Sequence, residues 1–135
     1  AEALMNDDLT VRHLGGDRFR IESRGHTLTV DQPTEDGGTN TAPTPTELCV
    51  ASLASCVAHY AHRYLARHDL SAEGLVVSAS YGIGGRPTRV DRLDVRIIPP
   101  DSLPDERRDA FLAVASHCTV HNTLAQAPEV TIPLD

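Results

Sequence analysis

Residues 43–68, PTPTELCVASLASCVAHYAHRYLARH, decide how the rest of the chain is read. No Gly or Pro falls between Leu48 and Ala66, and the stretch is rich in Ala and Leu, which lose little on entering a helix. Pro45 suits a first helical position, since it has no N–H to leave unpaired there. Thr44 or Thr46 can cap the start with a hydroxyl, and Glu47 sets negative charge at the positive end of the helix dipole. Leu48, Cys49, Ala51, Leu53, Ala54, Val57, Ala58 and Ala61 surround the axis, a distribution that predicts a buried central helix ending near Asp69. Charge gathers only after His59, as His62, Arg63, Arg67 and His68, where basic groups complement the far end of the dipole. The stretch is too short and too punctuated by His and Arg to cross a membrane. Cys56 stands at its middle.

Upstream, residues 8–14, 18–24 and 26–31 alternate apolar and polar side chains, and Gly15-Gly16-Asp17 and Arg24-Gly25 punctuate them. They predict three strands in an antiparallel meander, with Phe19 and Ile21 on one face and Leu28 and Val30 inward. Residues 32–43, QPTEDGGTNTAP, hold almost nothing apolar and read as a long loop that covers or builds something. Downstream, residues 75–83 and 88–98 predict a hairpin around Gly84-Gly85-Arg86-Pro87. Pro99-Pro100 ends it, and Ser102 and Pro104 open a second helix over residues 105–117 carrying Phe111, Leu112, Val114 and Ala115. Residues 119–127 have room for one more helical turn, and EVTIPL at 129–134 predicts a closing strand. The expected order is βββαββαβ, an α+β fold with helices packed on antiparallel sheet.

A chain of 135 residues predicts a single domain, 1–135, with a core of useful size. A formal net charge of −7 argues against a nucleic-acid surface, which needs a basic stripe. The N-terminal AEALMNDDL shows no basic region followed by an apolar run, so no signal peptide is expected. Three cysteines, an odd number, point to a reducing compartment, with cytoplasm as the expectation. GIGGRP at 82–87 lies between two strands and is a hairpin turn, not a dinucleotide fingerprint. No G-x-S-x-G occurs, which sets a serine nucleophile aside.

The cysteines admit three readings. A thiol in a core behaves as a small hydrophobe, and Cys49 has no context that argues otherwise. Cys56, among Ala and Ser, and Cys118, in SHCTVH, are also candidates for a redox pair: one thiolate attacks an O–O bond and the other resolves the sulfenic acid as a disulfide. Both are followed at i+3 by His, as Cys56/His59 and Cys118/His121, so a Cys2His2 metal site is the third reading.

Three features then resemble the OsmC/Ohr family of thiol peroxidases and their OsmC-like relatives. They are the Gly-rich run GGTNTAPTPTEL at 37–48, the helix ASLASCVAHYAHRYLARHDL with Cys56 inside it, and HCTVHNTL at 117–124. The resemblance implies an intertwined homodimer that reduces organic hydroperoxides, and hydrogen peroxide less well, without flavin, haem or metal. It puts Cys56 on the peroxidatic position and Cys118 on the resolving one, with an external dithiol as reductant. It also implies a Glu and an Arg that serve the thiolate. The family's Glu directly follows the Pro that opens the helix; here Thr46 holds that place and Glu47 comes one residue later. Residues 31–44 hold no Arg, which leaves Arg18 as the candidate, with Arg20 and Arg24 behind it. A small-molecule binding or hydrolytic role in the same fold is the alternative function, with the Cys/His metal site behind it.

Overall fold

A computed structural model describes residues 8–135, which form two compact units meeting in sequence at Cys49 and Val50. The N-terminal unit holds β1 (Leu9–Gly15), β2 (Arg18–Ser23) and β3 (His26–Val30), in the sheet order β1-β2-β3. The second unit contains most of α1 (Pro45–Arg67), then β4 (Val76–Gly84), β5 (Arg89–Ile98), α2 (Arg108–Ser116) and α3 (Thr119–Ala125).

The meander forms as its alternation predicts. Ile21 faces Val11 on one side and Leu28 on the other, and Phe19 faces Val30. Arg24 and Gly25 connect β2 to β3 with φ of 53° and 80°. Two successive positive values give the twist that matches a two-residue hairpin, and Gly takes the second at no steric cost. Val30 is buried, but Leu28 is 57% exposed, so the inward face expected for both is realised at Val30 alone.

The loop after β3 is built around one carboxylate. Asp31 is fully buried, and its Oδ2 accepts from the Thr39 hydroxyl at 2.5 Å, the Thr41 hydroxyl at 2.8 Å and the Thr41 amide at 3.0 Å. Its Oδ1 accepts from the Gln32 amide at 2.7 Å, and the Thr39 amide lies 3.3 Å from both oxygens. The Thr39 hydroxyl foremost, then the amides of Thr41 and Gln32, hold the carboxyl well below the usual carboxylate range, against the opposing effect of burial. Gly38 packs so closely on the Gln32 carbonyl that a Cβ there would collide with it. The loop reaches the helix through a reciprocal cap: the Glu47 amide donates to the Thr44 hydroxyl at 3.0 Å, and the Thr44 amide donates to Glu47 Oε1 at 2.8 Å. Thr44, not Thr46, is the cap.

In the second unit α1 buries one stripe, Val50, Leu53, Val57, Ala61, Tyr64 and Leu65. Ala51, Ser52, Ser55, His59, His62 and Arg63 are exposed, so the burial expected on all sides is confined to one face. Ala and Ser are small enough to sit in either environment, which is why their positions alone did not reveal the exposed side. From Leu53 to Leu65 the buried stripe packs with Leu103, Phe111, Ala115 and Cys118. Tyr64 meets Phe111 edge-on at 5.7 Å between ring centroids. In the hairpin, Val77 faces Ile97, Ala79 faces Val95 and Tyr81 faces Leu93. These cross-strand pairs share one half-buried face, while Val76, Ser78 and Ser80 point to the exposed one.

The second helix opens with a single tighter turn at Asp105–Arg107, continues as α2, and breaks at His117 and Cys118 before α3. The extra turn expected over 119–127 is thus a separate seven-residue helix. Residues 129–134, expected as a closing strand, pair with nothing among the described residues, and Val130, Ile132 and Leu134 are 70%, 90% and 98% exposed. Alternating side chains suit an extended segment, but a strand also needs a neighbour for its backbone N–H and C=O groups. No helix among the described residues is long and apolar enough to cross a membrane.

Candidate active site

The break between α2 and α3 brings the two motif cysteines of the second unit together. Cys118 is the cap of α3: its backbone is extended, with φ −80° and ψ 162°, and its sulfur accepts from the His121 amide at 3.4 Å. The side chain is fully buried in the core cluster, and Cys56, from the middle of α1, packs against the same cluster while half-buried. Burial pushes the Cys118 thiol up from its ordinary value, and the neighbouring Cys56 thiol pushes the same way. The amides of His121 and Val120 oppose both by favouring the thiolate. Cys118 is therefore a neutral, protected thiol in contact with a more accessible one. No disulfide joins them in this structure.

A cavity of about 210 Å³ lies on the same part of the unit, lined by Leu53, Val57, Leu93, Val95, Ser116 and His121. Leu53 and Val57 flank Cys56 on α1, and Ser116 and His121 flank Cys118 on the other side of the helix break. Its walls are chiefly hydrocarbon, which suits an apolar organic group more than an ionised one. The N-terminal unit has an apolar cavity of its own, about 370 Å³, lined by Val11, Phe19, Ile21, Val30, Pro45 and Leu48, without a thiol or a titratable group on its walls.

The other residues singled out in the sequence are accounted for separately. Glu47 is exposed and completes the α1 cap described above. Arg18 is half-buried at the start of β2, paired in register with Gly15. Arg20 and Glu22 form an ion pair at 3.3 Å, and Arg24 occupies the hairpin turn. Cys49 is exposed. The two Cys-x-x-His pairs do not converge on a common point: among the described residues no three His, Cys, Asp or Glu side chains gather as metal ligands would. His59 instead packs edge-on against Tyr60 at 5.7 Å, and His117 hydrogen-bonds the Ala113 carbonyl at 2.7 Å.

Two contacts of this region escaped the sequence reading. The Tyr60 hydroxyl meets Thr119 Oγ1 at 2.9 Å, one helical turn beyond Cys56 and one residue beyond Cys118. The Arg107 guanidinium donates to the Tyr64 hydroxyl at 3.4 Å. Their signal in the sequence is only a tyrosine at i+4 from Cys56 and another four residues on, and it gains meaning once the far segment is known to lie alongside.

Comparison with known proteins agrees with this architecture. The sequence model for the OsmC-like protein family matches residues 38–133. A candidate osmotic stress induced and detoxification response protein from Psychrobacter arcticus 273-4 superposes with a TM-score of 0.78 at 22% identity, over 85% of each chain. An OsmC-like protein from Mycoplasma pneumoniae superposes at 0.75 and 17% identity, over 92% of this chain and 90% of its own. An organic hydroperoxide resistance protein OsmC from Legionella pneumophila gives 0.64 and 21%, over 91% of each. At these identities the structural likeness establishes the shared fold. No curated protein matches the sequence.

Proposed function

The chain belongs to the OsmC-like protein family, and on that premise we propose that it is a thiol-dependent peroxidase that reduces organic hydroperoxides, and hydrogen peroxide less well. The observation that carries this reading is the packing of a half-buried Cys56 on the same core cluster as a fully buried Cys118, two thiols from distant segments gathered in one place. The hydroperoxide resistance function named for the Legionella neighbour points the same way.

Accessibility supports Cys56 as the peroxidatic thiol and Cys118 as the resolving one. A peroxide reaches Cys56 before the buried Cys118. The Cys56 thiolate attacks one peroxide oxygen, the O–O bond breaks, and the departing RO⁻ takes up a proton to leave as ROH. Cys56 is then a sulfenic acid. The Cys118 sulfur attacks it, the S–O bond breaks, and the hydroxyl leaves with the thiol proton as water, closing a disulfide. An external dithiol restores both thiols by exchange. The hydrocarbon cavity lined by Leu53, Val57 and His121, sequence neighbours of the two cysteines, supports an organic R group over a bare hydroperoxide. Arg18 and Glu47 are proposed as accessory cation and carboxylate, with Glu47 already engaged in the α1 cap. The proposal includes a single domain, a homodimer, and a reducing compartment such as the cytoplasm, where a dithiol reductant is at hand.

Reduced protein treated with one equivalent of cumene hydroperoxide is expected to lose two hydrogens by intact mass, with a Cys56–Cys118 link in the peptide map. Cys56→Ser is expected to abolish turnover altogether. An unchanged mass, with both thiols still open to alkylation, would reject the peroxidase and leave small-molecule binding in the apolar cavity as the role to pursue.

A further inference from the structure

The contact between Tyr60 and Thr119 joins α1 to the first residue of α3. Residues of α3 bury almost nothing: none of the seven is fully buried, Val120 is half-buried and the remainder are exposed. Hydrophobic burial therefore holds this short helix weakly, and its attachment depends on Cys118, on Val120 and on the hydrogen bond between Thr119 Oγ1 and the Tyr60 hydroxyl at 2.9 Å. Tyr60 is itself well placed to serve as an anchor. Its ring packs against His59 edge-on, and the Arg63 guanidinium lies over it at 5.8 Å from the centroid.

We infer that the Tyr60–Thr119 hydroxyl bond is a clasp that keeps Cys118 within reach of Cys56 once Cys56 has been oxidised. The inference rests on the peroxidase reading and concerns its second step alone. A disulfide needs the sulfurs at about 2.05 Å with a defined torsion, much closer than two free thiols approach each other. Resolution thus requires the start of α3 to move toward α1 without swinging away from it. The clasp joins the residue next to Cys118 to the residue one turn beyond Cys56, so it restricts that outward motion. The first step is the attack of Cys56 on the hydroperoxide and does not depend on the clasp. When resolution is slow, a second hydroperoxide molecule converts the Cys56 sulfenic acid to sulfinic acid, releasing ROH.

The test compares wild type with Tyr60→Phe, which keeps the ring and removes the hydroxyl. Each reduced protein is mixed with one equivalent of cumene hydroperoxide, then with an excess, quenched with an alkylating agent and mapped by mass. The expected result is unchanged consumption of the first equivalent, disulfide closure slowed about three- to tenfold, the effect of losing one neutral hydrogen bond, and a larger Cys56 sulfinic fraction under excess. Thr119→Val should reproduce this, the double variant should add little to either single one, and Thr119→Ser should restore wild-type behaviour. Equal sulfinic fractions in wild type and Tyr60→Phe, or an equal slowing of both steps, would overturn the clasp while leaving the peroxidase intact. A wild type in which Cys56 is not oxidised at all would overturn both.

Discussion

Asp31 and Cys118 are both titratable, both fully buried, and opposite in every other respect. Asp31, in the N-terminal unit, is surrounded by donors: two threonine hydroxyls and the amides of Gln32, Thr39 and Thr41. Those donors stabilise the carboxylate more than burial disfavours it, so its pKa falls. Cys118, in the second unit, sits among Leu53, Val57, Phe111 and Ala115, where burial outweighs two amide contacts and its pKa rises. The sign follows from the balance between burial and the donors aimed at the group: donors win at Asp31 and burial wins at Cys118. One site uses a buried charge to give a loop its shape. The other keeps a buried thiol neutral, with the more accessible Cys56 packed on the same core cluster.

The largest effect expected from this contrast is on activity. Cys118→Ser should end sustained, dithiol-supported turnover while the first equivalent of hydroperoxide is still consumed, since it removes the resolving thiol and leaves Cys56. The same variant sharpens the pH side of the comparison. A thiol whose folded pKa lies above its unfolded value, about 8.5, stabilises the fold fully below that pH and less as pH rises beyond it. Wild type should therefore lose stability on the alkaline side, and Cys118→Ser should flatten that limb in thermal melts against pH. An identical limb in both proteins would break the comparison at its Cys118 end.

Asp31→Asn probes the other end. The native carboxyl ionises at lower pH than the unfolded one, about 3.9, so its contribution is complete above that pH and is lost as acid protonates the folded state. The variant should melt at lower temperature than wild type near neutrality, with the difference shrinking on acidification. A gap that stays constant from neutral pH down to about 3 would mean the carboxylate's charge is not what holds the loop. Gly38→Ala should give the smallest effect, about 1–3 kcal/mol by denaturant titration, because a methyl group must push back the Gln32 carbonyl. A neutral result there would show that the loop yields more readily than the Asp31 cradle suggests.

Much of this architecture is legible in residue order. Alternation located β1 to β5 to within a few residues, since side-chain direction in a strand repeats every second residue. The absence of helix breakers and the Pro-Thr-Glu start located α1, and the family motifs pointed to Cys56 and Cys118. Asp31 went unnoticed because its donors come from residues 39 and 41, across a loop whose path no local pattern predicts. The Tyr60–Thr119 bond went unnoticed for the same reason at longer range. The tail shows the converse error: Val130, Ile132 and Leu134 alternate well enough for a strand, yet the alternation describes side chains and says nothing about a backbone partner.

The sequence alone thus determined the elements and their order from β1 to α2, the family and the two cysteines worth watching, because helix and strand periodicities and short motifs are local properties. Tertiary structure decided which face of α1 is buried, which threonine caps it, and what Asp31 is for. It also decided that Cys118 is the protected thiol and Cys56 the reachable one. Each of those depends on neighbours supplied by distant segments, and burial, donor count and pKa come into being only when those segments meet.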